Sequence, residues 1–178
     1  MNIKVQTIVY IILLFLAQFI FSTIFLNWSN PLTAIIFPVN ESIWETTKLK
    51  FISIVIINLA FYYTLTINFR RHVPLAVLVH TFVTAFSYNI LILLINPSNP
   101  LIIQIISIFS ILVGTYFWFK IITSPFSYKV INHSALLLIF NCFVLFSILT
   151  YHPLPNNIFY DEKNNMLGMF KFYGDISN

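Results

Sequence analysis

Only 8% of the 178 residues are charged, and the chain holds three glycines and one cysteine. Soluble domains carry about a quarter charged residues, so this scarcity excludes an ordinary soluble globular protein. Disorder is excluded too, because it goes with low hydrophobicity and high net charge. Gly114, Gly168 and Gly174 are too dispersed for a glycine-rich phosphate loop, and neither G-x-G-x-x-G nor a Walker sequence occurs. The lone Cys142 permits no intramolecular disulfide and no cysteine-based zinc site. It lies in an apolar run, where it reads as a small hydrophobe. Basic clusters are missing as well: the nine Lys and Arg stand singly or in pairs, which argues against a nucleic-acid interface.

What is present is apolar. Hydrophobic residues make up 59% of the chain, aromatics 18%, and mean hydropathy is +0.90. That composition indicates an all-α integral membrane protein. Five membrane helices of about 20 residues each would use roughly 100 residues. Loops and a short tail account for the rest, so residues 1–178 read as a single membrane domain.

Charge-free intervals locate five spans, near residues 5–27, 51–69, 75–95, 101–122 and 130–150, with a tail over 151–178. The first could be taken for a signal peptide, but its apolar part exceeds the usual h-region and no A-x-A site follows, so it is read as a retained helix. The second, 19 residues long, gives about 29 Å of helix, enough to cross. The stretch Asn96-Pro97-Ser98-Asn99-Pro100 separates the third span from the fourth, because two prolines and turn-forming residues do not continue a helix. Strands are disfavoured: these runs are apolar on both parities, whereas barrel strands alternate over roughly ten residues. The apolar segment 31–37 is too short to span and reads as interfacial or re-entrant.

Lys and Arg near the span ends set orientation. The short loops with Arg70-Arg71 and with Lys120 and Lys129 place the N-terminus inside and the C-terminus outside the cytoplasmic membrane. All five acids, Glu41, Glu45, Asp161, Glu162 and Asp175, then share the extracytoplasmic face.

The richest stretch is residues 38–48, P-V-N-E-S-I-W-E-T-T-K. On a helix Glu41, Trp44, Glu45 and Lys48 fall at i, i+3, i+4 and i+7, one face that could bind a cation, orient a headgroup or supply an acid/base pair. A plainer account exists. Ser42 with Glu45 is a capping box, Trp44 an interfacial anchor, and Glu45–Lys48 a surface pair of a few tenths of a kcal/mol. Glu41 is required by neither cap nor spacing. The candidate extracytoplasmic polar site comprises Asn40, Glu41, Trp44, Glu45 and Lys48, joined by His152 and Asp161 if the tail folds back. The tail alternates apolar 158–160, polar 161–165 and apolar 166–170, which suggests a hairpin needing support from the membrane face. Phe159, Tyr160, Met166 and Phe170 are too many to leave exposed, so the tail should dock beside Glu41 and partly desolvate it.

The succession P-V-N-E-S-x-W-E-x-x-K resembles the hallmark of a family of small polytopic membrane proteins, mainly from Gram-positive bacteria, with no assigned activity. The hydrophobic layout and the ending Tyr151-His152-Pro153-Leu154-Pro155, Phe159-Tyr160-Asp161 and Gly168 are similar too, so the resemblance covers about residues 5–168. Members often carry a histidine after the second glutamate, where this chain has Thr46, and the usual tail turn is replaced by Glu162-Lys163-Asn164-Asn165. The resemblance implies membership and supplies no catalytic residues.

Within the apolar runs, His80, Thr84 and Ser87 follow i, i+4, i+7 and form an intramembrane polar stripe facing other helices. An ionisable group at that depth raises a functional question; a neutral histidine bonding between helices is the plainer account. No H-E-x-x-H or tight histidine pair points to a metal, and no cofactor is implied. The leading expectation is a non-enzymatic membrane protein that engages the lipid bilayer and a small-molecule, lipid or membrane-protein partner through its extracytoplasmic polar face. The alternative is a membrane-embedded hydrolase or transferase at the outer leaflet with Glu41 or Glu45 as acid/base.

Overall fold

A computed structural model describes residues 3–27, 30–65, 70–97, 99–126, 129–154, 158–161, 166–167 and 170–171. Within these, the helices are α1 (Ile3–Asn27), α2 (Pro31–Ile36), α3 (Ile43–Tyr62), α4 (Val73–Ile95), α5 (Pro100–Ile122) and α6 (Lys129–Tyr151). Three two-residue strands follow, β1 (Tyr160–Asp161), β2 (Met166–Leu167) and β3 (Phe170–Lys171), paired antiparallel in the order β1-β2-β3. The tail thus forms the expected hairpin and adds a third strand; its turn at 162–165 lies outside the described residues.

Four helical segments are long and apolar enough to cross a membrane: Ile3–Ile24, Val73–Ile95, Pro100–Ile122 and Ile131–Tyr151. They match four of the five expected spans closely. The second span differs. Helix α3 begins at Ile43, eight residues before the charge-free interval, and ends at Tyr62. Its start follows the Ser42–Glu45 cap signal, and Glu45, Lys48 and Lys50 lie in its first two turns.

Local chemistry sets the helix ends. Asn30 caps α2, its side chain accepting from the Thr33 N–H while the Thr33 hydroxyl oxygen accepts from the Asn30 N–H, with Pro31 next in line. Asn96 closes α4 in the left-handed region at φ 44°, and Asn99 and Pro100 open α5, the Asn99 side chain accepting from the Leu101 N–H. The dipeptides that interrupt the long apolar run therefore act as stop and start signals. Outward-facing Phe19, Phe86 and Leu94 are 72%, 68% and 77% exposed, which suits lipid contact and no aqueous surface.

Contacts divide the chain into two compact units, one of residues 1–15 and 54–139, the other of 16–53 and 140–178. The first is built around Tyr10 and Trp118, whose rings stack at 4.4 Å and 7°, with Leu14, Ile54, Ala76, Ile111 and Ile122 buried about them. Running through this core is a hydrogen-bond chain with a fixed direction. The Trp118 indole can only donate, and it gives its N–H to Asn58 Oδ1 at 2.8 Å. That orients the Asn58 amide, so its Nδ2 donates to the Tyr10 oxygen at 2.6 Å. The Tyr10 hydroxyl is then free to donate to His80 Nδ1, 2.9 Å away, which leaves the neutral imidazole with its proton on Nε2.

The expected polar stripe on α4 is thereby located. His80 and Thr84 are fully buried and pack against Gly114 of α5, while Ser87 is half-buried and donates back to the Val83 carbonyl at 2.7 Å. Tyr10→Phe should cost about 1–3 kcal/mol, because it strips the Asn58 amide and His80 Nδ1 of a partner in a buried setting. The loss should appear as a lower melting temperature in detergent. An unchanged value would mean that the chain from Trp118 to His80 does not hold these helices.

Candidate functional site

In the second unit, α2, the connection from Phe37 to Ser42, the start of α3, the end of α6 and the tail come together. Ser42 caps α3, its Oγ accepting from the Glu45 N–H at 3.3 Å. The reciprocal half of the expected capping box is absent: the Ser42 N–H goes to Asn40 Oδ1 at 2.9 Å, and the Glu45 carboxylate turns inward. There Glu45 Oε2 meets Lys48 Nζ at 2.5 Å and accepts from the Val39 N–H at 3.2 Å, while Oε1 accepts from the Thr150 hydroxyl at 2.9 Å.

Lys48 completes the arrangement. Besides Glu45, its ammonium donates to the Ala34 carbonyl at 3.0 Å and to Thr150 Oγ at 2.9 Å, so all three N–H bonds are used. Both side chains are 0% exposed. The expected surface pair is therefore a sealed buried one, closed from above by α2 and from the side by α6. Lys50 is buried as well.

Trp44 is not a simple interfacial anchor. Its ring lies 4.6 Å from that of Phe146 and 4.9 Å from that of Phe159, and the Trp44 backbone N–H donates to the Ile158 carbonyl at 3.0 Å. Asp161, only 4% exposed, accepts the Glu41 N–H on Oδ2 at 2.8 Å. Phe159, also 4% exposed, is buried with it. The tail thus docks on the motif, as its apolar content requires. Docking engages the Glu41 backbone and leaves that residue exposed, so the expected desolvation of Glu41 does not occur. His152 remains exposed just past α6, its N–H closing the helix on the Ile148 carbonyl at 2.8 Å. Among the described residues no three His, Cys, Asp or Glu side chains gather closely enough to hold a metal ion.

Beside the sealed pair lies an open cleft of about 280 Å³, with Ser22, Thr23, Asn40, Glu41, Thr46 and Leu49 on its walls. Asn40 and Glu41 are the parts of the sequence-derived site that line it; Glu45 and Lys48 do not. Thr150 and Ala34, which saturate the ion pair, had no signal in the sequence, since one is a lone threonine in an apolar run and the other acts through its carbonyl. Ser22 and Thr23 were equally silent, being hydroxyls that also bond back to their own helix at Phe19 and Ile20.

These features define an α-helical protein of the membrane class, with a polar cleft beside a locked ion pair. Comparison with protein-family models, with curated proteins and with solved structures finds no match in any of the three.

Proposed function

We propose that this chain is a multi-pass membrane protein that binds a ligand without transforming it, and that the cleft beside Glu41 is where it binds. One observation carries the reading: Glu45, one of the two motif carboxylates that could act as acid or base, is fully enclosed with Lys48, and the two spend their hydrogen-bonding capacity on each other, Thr150, Val39 and Ala34. A general acid or base must come within hydrogen-bond reach of its substrate. Glu45 has no surface to offer, which disfavours an outer-leaflet hydrolase or transferase built on it. Glu41 is the motif carboxylate on an open wall, among the Ser22, Thr23 and Thr46 hydroxyls. A carboxylate among hydroxyls suits an amine-bearing small molecule or headgroup.

In this reading the 20 residues of α3, about 30 Å of helix, provide a fifth crossing, and the short α2 lies at the interface. The N-terminus is cytoplasmic, and the cleft and tail face outward from the cytoplasmic membrane. The charge-free intervals and the basic short loops support that arrangement. Membership of the small polytopic family rests on the motif at 38–48. Ethanolamine, choline and spermidine, tested on the purified protein, provide the check. A ligand at 100 times its Kd stabilises by about 2.7 kcal/mol, a readily measured rise in melting temperature. Glu41→Gln should abolish that rise while leaving the unliganded melting temperature nearly unchanged. If no amine stabilises the wild type more than the variant, the cleft is not the binding site.

A further inference from the structure

The unit of residues 1–15 and 54–139 contains Lys4, Arg70, Arg71, Lys120 and Lys129 and none of the five acids of the chain. No carboxylate of this unit can therefore pair with Arg70 or Arg71. Arg70 and Arg71 lie in the connection between α3 and α4. Arg70 is held there, Nε donating to the Leu65 carbonyl at 2.9 Å and an Nη to the Tyr63 carbonyl at 2.8 Å, with its guanidinium carbon 5.5 Å from the centre of the Tyr62 ring. Arg71 is exposed, and its Nε donates to the adjacent His72 Nε2 at 3.0 Å, which steers the guanidinium without neutralising it.

An apolar groove of about 310 Å³ reaches Tyr62, the ring beneath Arg70, and Val73 and Pro74, which follow Arg71 closely in the chain. Val55, Asn58, Leu59 and Tyr62 of α3 line it at helical spacing, facing Val77 of α4 and Leu136 of α6. The Asn58 amide is committed to Tyr10, Trp118 and the Ile54 carbonyl, so it offers the groove little polarity. The cationic end sits at Tyr62, where the groove meets the first turn of α4. A hydrocarbon floor with two uncompensated guanidinium groups at one end is complementary to one kind of molecule in a bilayer. Basic pockets between membrane helices take up anionic headgroups for this reason, and guanidinium groups match phosphate oxygens in geometry as well as charge.

We propose that this groove binds an anionic phospholipid, with an acyl chain along Val55–Tyr62 and the phosphate against Arg70 and Arg71. The proposal is independent of the Glu41 cleft, which belongs to the other unit.

The test uses the full chain in detergent with dioleoylphosphatidylglycerol or dioleoylphosphatidylcholine, reading lipid retained per protein by native mass spectrometry. Phosphatidylglycerol should be retained in preference, by roughly fivefold for each arginine engaged, from about 1 kcal/mol per basic group. Arg71→Gln should reduce the preference by about that factor, whereas Arg71→Lys should keep most of it. Leu136→Trp, which fills the groove, should lower retention of both lipids. Lys120→Gln, a charge loss in the same unit away from this groove, should leave the preference intact. Equal retention of the two lipids would overturn the proposal. So would a preference that Lys120→Gln and Arg71→Gln weaken alike, since that would report bulk charge only. Displacement of the lipid by glycerol 1-phosphate alone, with no loss in Leu136→Trp, would show a headgroup site without the groove and would overturn it as well. Melting temperatures of the lipid-free variants separate lost binding from lost folding.

Discussion

Lys48→Met should lower stability by about 3–5 kcal/mol, the cost of leaving a buried carboxylate without its partner. Glu45 is 0% exposed and cannot swing out to water, because Val39 and Thr150 hold it from two sides. The variant should melt far below the wild type in detergent. The double variant Glu45→Gln/Lys48→Met should recover most of it, since replacing both members of a buried pair removes the uncompensated charge. A single variant as stable as the wild type would show that the pair is hydrated in the membrane and does not lock α2 and α6 onto α3.

Gly114→Ala should be the second large effect, and its sign is the informative part. In an open helix this change favours the helix by about 1 kcal/mol. Here a Cβ at Gly114 would lie 2.1 Å from Thr84 Oγ, 2.5 Å from His80 Cδ2 and 3.0 Å from the His80 carbonyl oxygen. Thr84 can turn away; the His80 ring is tethered to Tyr10, and its carbonyl belongs to the α4 backbone. The helices must separate, at a cost of about 1–3 kcal/mol or more by the usual measure of overpacking. Thermal unfolding of Gly114→Ala and of Gly114→Ala/Thr84→Ala provides the measurement, the second recovering part of the loss. Stabilisation by Gly114→Ala would mean that α4 and α5 do not approach this closely. Small residues permit such approaches between membrane helices, where backbone contact replaces a hydrophobic driving force.

Much of the fold was legible because the bilayer reduces it to length and polarity. A run of about 20 apolar residues has one economical conformation in lipid, and the proline and asparagine stops between residues 96 and 100 act within a few residues of chain. Four helices long and apolar enough to cross therefore fall almost where the charge-free intervals put them. The start of α3 is legible from the Ser42 cap, but the enclosure of its first two turns is not. Charge marks water only while it is unpaired, and Glu45 and Lys48 pair inside.

The candidate site was legible in part for a related reason. The stretch at 38–48 stood out by its polar residues, and the apolar tail had to dock somewhere; but Glu41 precedes α3, which begins at Ile43, so it shares no helical face with Trp44, Glu45 and Lys48. What periodicity cannot carry is which groups meet across long chain separations. Thr150 lies 105 residues from Glu45, and Asp161 lies 120 residues from Glu41, yet each makes a direct hydrogen bond there. The same holds for the path from Trp118 through Asn58 and Tyr10 to His80, four residues on four helices with no shared local pattern. By itself the sequence determined the membrane class, the places of four helices long and apolar enough to cross, and the stretch where polar chemistry collects. Only the tertiary structure decided that Glu45 and Lys48 are enclosed, that Glu41 stays open, and that Gly114 faces His80, because burial and pairing are properties of neighbours brought together by folding.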